Sequence, residues 1–235
     1  MTLPRGSHEQ SVRVASADCG GDGLLSPQGI LRMMQDAATA GSDAAGLTHA
    51  MLLEHGLIFM TSTHAVRFLH PIAAGDTLRV RTDPAKLHGP HFLRQTLFFD
   101  EAGALAAEGQ SDWVLVDAHS GRPRRSTDLP GTYDVLAQWQ PFCDPSRLRF
   151  PTATTVRDVY PVTEADADLN GHMNNAVYAR LLMCCEPEIK GVSEFALRYH
   201  RQCFPGETLT LCRDGEYAAG YLGEALCFSG YCRGF

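Results

Sequence analysis

The sequence predicts an α+β protein made of two copies of one plan, a long helix followed by an antiparallel sheet. Three observations carry this. Two stretches with a 3.6-residue apolar period stand far apart in the chain, one after Ser26 and one after Asn174. Each is followed by short strand-like runs separated by Gly-containing turns. The two blocks also align without gaps when Gly23 is set on Gly171. Ile30-Leu31-Arg32-Met33-Met34 then falls on Tyr178-Ala179-Arg180-Leu181-Leu182, Asp18 on Asp166, and Ser26 on Asn174. Downstream, Phe68 matches Tyr199, and Gly75-Asp76-Thr77-Leu78 matches Gly206-Glu207-Thr208-Leu209.

In the first half, Val12 to Ala17 reads as a short strand. Ser26 is a good N-cap and Pro27 suits the first helical position. Ile30, Met34, Ala37 and Ala38 share one face of that helix, and Gly46 is its stop. Thr48 to His55 reads as a second, short helix. Strands follow at Leu57 to Phe68, Thr77 to Thr82, His91 to Phe99 and Ala104 to Val116. Residues 126–150, with Pro130, Gly131, Pro141 and Pro145, form a connector, in which Tyr133 to Trp139 is expected as a helical turn. The second half opens with a strand at Thr152 to Tyr160. Its helix is capped by Asn174 or Asn175, carries Val177, Leu181 and Cys185 on one stripe, and ends at Pro187. Strands at Val192 to Cys203, Thr208 to Arg213, Glu216 to Tyr221 and Ala225 to Cys232 complete it. The boundaries are therefore 11–125 for the first domain, 126–150 for the connector and 151–235 for the second domain.

Composition narrows the function. The chain has 235 residues, 44% hydrophobic and 20% charged, enough to bury real cores. A formal net charge of −7 argues against a nucleic-acid binder. The apolar runs are too short to span a bilayer, so no stable membrane insertion is expected. Met1 to Gln10 is polar and lacks the apolar core of a signal peptide, so the expected location is cytoplasmic. None of the eight cysteines forms a C-x-x-C pair, so no structural zinc, and no other cofactor, is expected. Cys212, Cys227 and Cys232 lie in apolar strand-like runs and read as small core residues.

The chemistry concentrates in Asp168-Leu169-Asn170-Gly171-His172-Met173-Asn174-Asn175. Alternate residues of an extended segment share a face, so Asp168, Asn170 and His172 can converge. Gly171 lets the backbone turn tightly between the last two. The trio precedes a helix start, where free N–H groups and the dipole can hold a developing oxyanion. The matching positions of the first half are Gly20, Asp22 and Leu24, without the imidazole and the first carboxylate. The chemistry is therefore expected on the second half alone, with Met33, Met34, Phe59 and Met60 lining an apolar channel from the first.

This string resembles the Asp-x-Asn-x-His-x-Asn-Asn motif of hotdog-fold thioesterases, in the form used by acyl-acyl-carrier-protein thioesterases. The resemblance extends from about Val12 to Cys232. It implies tandem hotdog domains, each a long helix wrapped by a curved antiparallel sheet, and hydrolysis of fatty acyl thioesters. Tyr199-His200-Arg201-Gln202-Cys203 stands where that family carries a Tyr-Arg-Arg-Glu-Cys-like run. The resemblance thus assigns catalysis to Asp168, Asn170 and His172, and extends it to Gln202 and Cys203. Gln202 replaces the family's Glu and cannot act as a base. The short second half implies trimmed hairpins or an edge strand supplied by another subunit, in a homodimer.

Two schemes follow. In the first, Asp168 or His172 activates a water as general base, Asn170 and Gln202 align water and substrate, and amides near Asn174 and Asn175 bind the oxyanion. In the second, Cys203 is a nucleophile with His172 as base and Asn170 as orienter. The expected partner is an acyl carrier protein, met by Arg122-Pro123-Arg124-Arg125 or by Arg198, His200 and Arg201. The alternatives are an acyl-CoA thioesterase of the same fold, a hotdog dehydratase or hydratase, and a non-catalytic acyl-binding protein.

Overall fold

The helix signals act where they stand. The computed structural model describes residues 3–184 and 191–235. Helix α1 spans Pro27–Ala44, and the Ser26 hydroxyl accepts from the Gly29 N–H at 3.0 Å. Just beyond its end, Gly46 takes φ +79°, the left-handed conformation that a helix stop needs. Thr48 caps α2 (His49–Glu54) through a 3.2 Å bond from the Met51 N–H. Helix α3 is Asn175–Cys184, and Asn174 is its cap, its side-chain oxygen accepting from the Ala176 N–H at 2.8 Å. Val177 and Leu181 of the expected stripe are buried; Cys185 and Pro187 lie outside the described residues.

The strands are β1 (His8–Arg13), β2 (Leu57–Phe68), β3 (Thr77–His88), β4 (His91–Phe99), β5 (Leu105–Asp117), β6 (Val156–Pro161), β7 (Val192–Tyr199), β8 (Thr208–Asp214), β9 (Tyr217–Leu222) and β10 (Ala225–Gly234). They form one antiparallel sheet in the order β1-β3-β4-β5-β2-β7-β10-β9-β8-β6. Read outward from the middle, each half has the same sequence of strands, so β2 corresponds to β7 and β1 to β6. The halves join where β2 pairs with β7, with Ala65 opposite Ala196. Helices α1 and α3 pack on each other. A single core joins Ile30, Met34 and Ala37 of α1 with Val177, Leu181 and Leu182 of α3 and with sheet residues of both halves. Among the described residues, no helix is long and apolar enough to cross a membrane.

Five expectations need correction, two of them strand bounds in the second half: β6 begins at Val156 rather than Thr152, and β7 ends at Tyr199 rather than Cys203. The first strand is His8–Arg13, not Val12–Ala17: Gln10 pairs with Val80 in β3, while Ser16–Asp18 turns as a 3-10 segment. Strand β3 runs on to His88, because Leu87 and His88 keep pairing with Phe92 and His91 around the Gly89-Pro90 turn. Tyr133 to Trp139 is not helical. Its backbone bonds outward, Asp134 N–H to the Arg5 carbonyl and Leu136 N–H to the Pro84 carbonyl, which takes the donors a helical turn would need. Tyr133 of the connector packs beside α1, whereas Trp139 to Leu148 run against the other face of the sheet. Trp139 donates to Gln110 at 3.1 Å, Arg67 stacks on Phe142, and Arg198 donates to the Leu148 carbonyl at 3.1 Å.

One close approach can be tested. A Cβ on Gly29 would overlap the carbonyl oxygen of Asp18, which also receives the Ser26 N–H and hydroxyl. Gly21 has no atom within 4 Å of its virtual Cβ. Gly29→Ala should lower unfolding stability by about 2–3 kcal/mol by forcing backbone apart. Gly21→Ala should stay within about 0.5 kcal/mol of wild type in urea titrations.

Candidate active site

The motif forms a tight hairpin loop rather than an extended run. Ala167 bridges Met173, the Asp168 N–H bonds to the His172 carbonyl at 3.0 Å, and the Gly171 N–H to the Asp168 carbonyl at 3.0 Å. Gly171 has φ +76°, which a side chain would strain. Asp168 and His172 meet because they face each other across this turn, with Nδ1 and Oδ2 3.9 Å apart. The other Asp168 oxygen accepts from the Asn170 N–H at 2.8 Å and fixes the turn. The His172 Nδ1 also lies 3.2 Å from the Met173 carbonyl. With the proton on Nδ1, that contact is a hydrogen bond and Nε2 is the free acceptor. Both side chains are partly exposed.

Two buried groups hold this loop and its helix. Asp166, just upstream, accepts from the Tyr160 hydroxyl (2.7 Å), the Thr163 N–H (2.9 Å) and hydroxyl (2.8 Å), and Arg180 (3.1 Å). Burial raises its pKa, but these donors outweigh it and hold the carboxyl below its ordinary range. Its carbonyl takes the Asn174 N–H at 2.8 Å. The first half repeats this anchor, with Asp18 on Arg32 at 3.0 Å and the Asp18 carbonyl on the Ser26 N–H. The second group is His64 of β2, fully buried. Its Nδ1 lies 3.0 Å from the Tyr199 hydroxyl, which donates to the Asn175 carbonyl at 3.1 Å. This links the first half to the first residue of α3. Neither role was visible in the motif, although the Asp18–Asp166 and Arg32–Arg180 matches in the repeat point to the first.

A cavity of about 390 Å³ opens between α1, α2 and the sheet of the first half. Phe59, Phe92, Trp113 and Tyr133 make much of its wall, and Leu169 and Asn170 of the motif loop stand at its edge. Phe59 lines this cavity. Met33 and Met34 do not: both are packed in the main core, Met34 against Gly109. The α1 residues on the cavity are Ala38, Thr39, Ser42 and Asp43, one to two turns further along.

Met173 N–H bonds to the Cys203 carbonyl at 2.8 Å, so the Gln202-Cys203 segment lies beside the motif. Gln202 is half-buried there. Cys203 does not suit a nucleophile. Its side chain is fully buried in the core. A hydrogen bond from Cys227 pulls its thiol below the ordinary value, against burial, but a thioester has no approach to that sulfur. Cys212, Cys227 and Cys232 are buried as well. The basic residues proposed beside the site are mostly engaged elsewhere. Arg201 pairs with Glu207 at 3.0 Å, His200 with Ser229 at 2.9 Å, and Arg198 reaches the connector. Arg124 pairs with Asp117 and Asp128.

His64 gives a pH test of the link to α3. Burial pushes its pKa down to about 3 from 6.5, so it stays neutral in the native state. Between those values the unfolded chain binds a proton that the native chain does not. Stability should therefore fall as pH drops below about 6.5, by up to about 1.4 kcal/mol per pH unit from this group. His64→Gln should remove that slope, seen as converging wild-type and variant urea midpoints at low pH. Parallel curves from pH 7 to 4 would mean that His64 does not titrate this way.

A profile of the thioesterase-like superfamily matches residues 23–140, the first half and most of the connector. The chain is also similar in structure to an acyl-ACP thioesterase from Bacteroides thetaiotaomicron, with a TM-score of 0.86 at 16% identity, covering 97% of this chain and 98% of that one. It is similar to a 12:0-ACP thioesterase from Umbellularia californica, with a TM-score of 0.73 at 18% identity, covering 99% of each chain. At these identities the likeness is one of fold, the hotdog thioesterase fold, and it runs the length of the chain. The profile match, covering half of the sequence, shows that the chain belongs to the thioesterase-like superfamily.

Proposed function

We propose that the protein hydrolyses acyl thioesters, with an acyl carrier protein as the carrier and its two halves acting as tandem hotdog domains. The carrying observation is that the loop bearing Asp168 and His172 places Asn170 at the edge of the first-half cavity. The acyl group occupies the cavity and its carbonyl lies at the loop. His172 Nε2 takes a proton from water, whose oxygen attacks the thioester carbon. Asp168 stabilises the imidazolium through Nδ1. The Asn175 N–H, without an acceptor among the described residues, binds the oxyanion at the start of α3. Collapse breaks the carbon–sulfur bond, and the leaving thiolate recovers the proton from His172. Asn170 and Gln202 orient substrate and water.

Asp168→Asn and His172→Ala should each lower single-turnover hydrolysis by roughly 10²–10⁴-fold with folding intact. Cys203→Ala should keep most of the activity, and quenched reactions should hold no acyl-enzyme. Near-normal rates in both loop variants, or an acyl group on Cys203 by mass spectrometry, would overturn the water scheme.

The carrier assignment draws on the resemblance and on Arg122 and Arg125, which form no ion pair among the described residues beside the neutralised Arg124. Attraction between these residues and an acidic carrier acts over about 8 Å at physiological salt and mainly sets the association rate. Arg122→Glu with Arg125→Glu should raise the KM for the protein carrier and spare a short synthetic thioester. Equal efficiency on carrier-protein and coenzyme A thioesters, with no effect of the reversals, would favour acyl-CoA hydrolysis.

A further inference from the structure

We infer, on the thioesterase reading above, that the cavity selects an acyl group bearing an acceptor oxygen along its chain, bound by Arg94. Four residues of β4 alternate on the helix side: Phe92, Arg94, Thr96 and Phe98. The first two line the cavity, while Thr96 and Phe98 are sealed in the core at 1% and 0% exposure. Arg94 therefore stands where the cavity ends along this strand.

The hydrogen bonds that the guanidinium makes there are to neutral groups. Arg94 is 6% exposed. Its Nη1 donates to the Gly6 carbonyl at 2.9 Å and to the Thr82 hydroxyl at 3.3 Å, and the guanidinium also hydrogen-bonds the Tyr133 hydroxyl. Among the described residues no carboxylate reaches it within ion-pair distance. Asp83, whose charge it feels, is held on both oxygens by Arg81. A buried cation without a counter-ion is costly. The Tyr133 hydroxyl also lies 3.0 Å from the Ser42 hydroxyl, so one polar strip runs from Arg94 to Ser42 along the cavity wall. A plain alkyl tail lying along this strip offers no acceptor to the remaining N–H groups of a buried cation. A hydroxyl, carbonyl or carboxylate oxygen on the tail accepts from Arg94. Sites built to bind a substrate oxygen discriminate strongly against the analogue lacking it.

The test compares a saturated acyl chain with hydroxy, oxo and carboxy derivatives of equal length, the oxygen placed at successive carbons. Two readouts are used: kcat/KM for the thioesters on one carrier, and calorimetric binding of the matching non-hydrolysable amides, in which NH replaces the thioester sulfur. At least one oxygenated member should exceed its saturated parent by at least about 10-fold in both. Arg94→Met should bring that ratio close to one, and Tyr133→Phe should reduce it. If Arg94→Met does not fold, the wild-type ratio and Tyr133→Phe decide. If no thioester is hydrolysed, the functional reading fails, and the binding ratio alone decides the selectivity. A wild-type protein that binds the saturated chain as well as every oxygenated derivative overturns the inference.

Discussion

Thr63 to Arg67 of β2 pair in antiparallel register with Arg198 to Glu194 of β7, and the rest of the structure depends on that seam. It makes two sheets into one and sets α1 beside α3 over a shared core. It also puts His64 against Tyr199, so that a hydrogen-bonded chain runs from β2 to the first residue of α3. A motif carried by the second half is thereby held to the wall of a cavity in the first. Without the seam, Asn170 and Phe59, which line the same cavity, would belong to unconnected surfaces.

The halves share an anchor and differ in what it supports. Each has a buried or half-buried Asp that binds an Arg one turn into the helix and accepts the helix cap on its carbonyl. In the second half this anchor presents Asp168, Asn170 and His172. In the first half the corresponding loop is structural. Asp22 accepts from the Leu24 N–H at 3.1 Å and from the Gly191 N–H at 3.2 Å, tying the loop to the start of β7. The first half supplies volume instead: α1, α2 and four strands enclose the cavity. This division follows from the substitutions at Gly20, Asp22 and Leu24, since no imidazole remains there to move a proton.

The sequence discloses what is decided locally. Ser26, Thr48 and Asn174 each cap the helix they precede, because capping involves neighbours two or three residues apart. The meeting of Asp168 with His172 was legible, but for a different reason: a glycine turn folds them face to face, where strand alternation had been expected to align them. Met33 and Met34 show the limit of apolar pattern. A helix buried on a broad face offers the same residues to core and to cavity, and only tertiary placement separates Met34 on Gly109 from Ser42 on the cavity. His64, Arg94 and Tyr133 were not legible as site residues. Their roles depend on partners far along the chain, Tyr199, Gly6 and Ser42, at separations of 135, 88 and 91 positions, set by strand register and by the path of the connector.

The account's central claim is that chemistry from the second half acts on a substrate held in the first. It is tested most directly by a crystal structure of the His172→Ala protein with a non-hydrolysable acyl thioether. The account predicts an acyl chain between α1 and β4, beside Phe59 and Phe92, with the atom replacing the carbonyl carbon at the Asn170 end, next to position 172. An acyl chain seated within the second half, or on the sheet face under the connector, would contradict it.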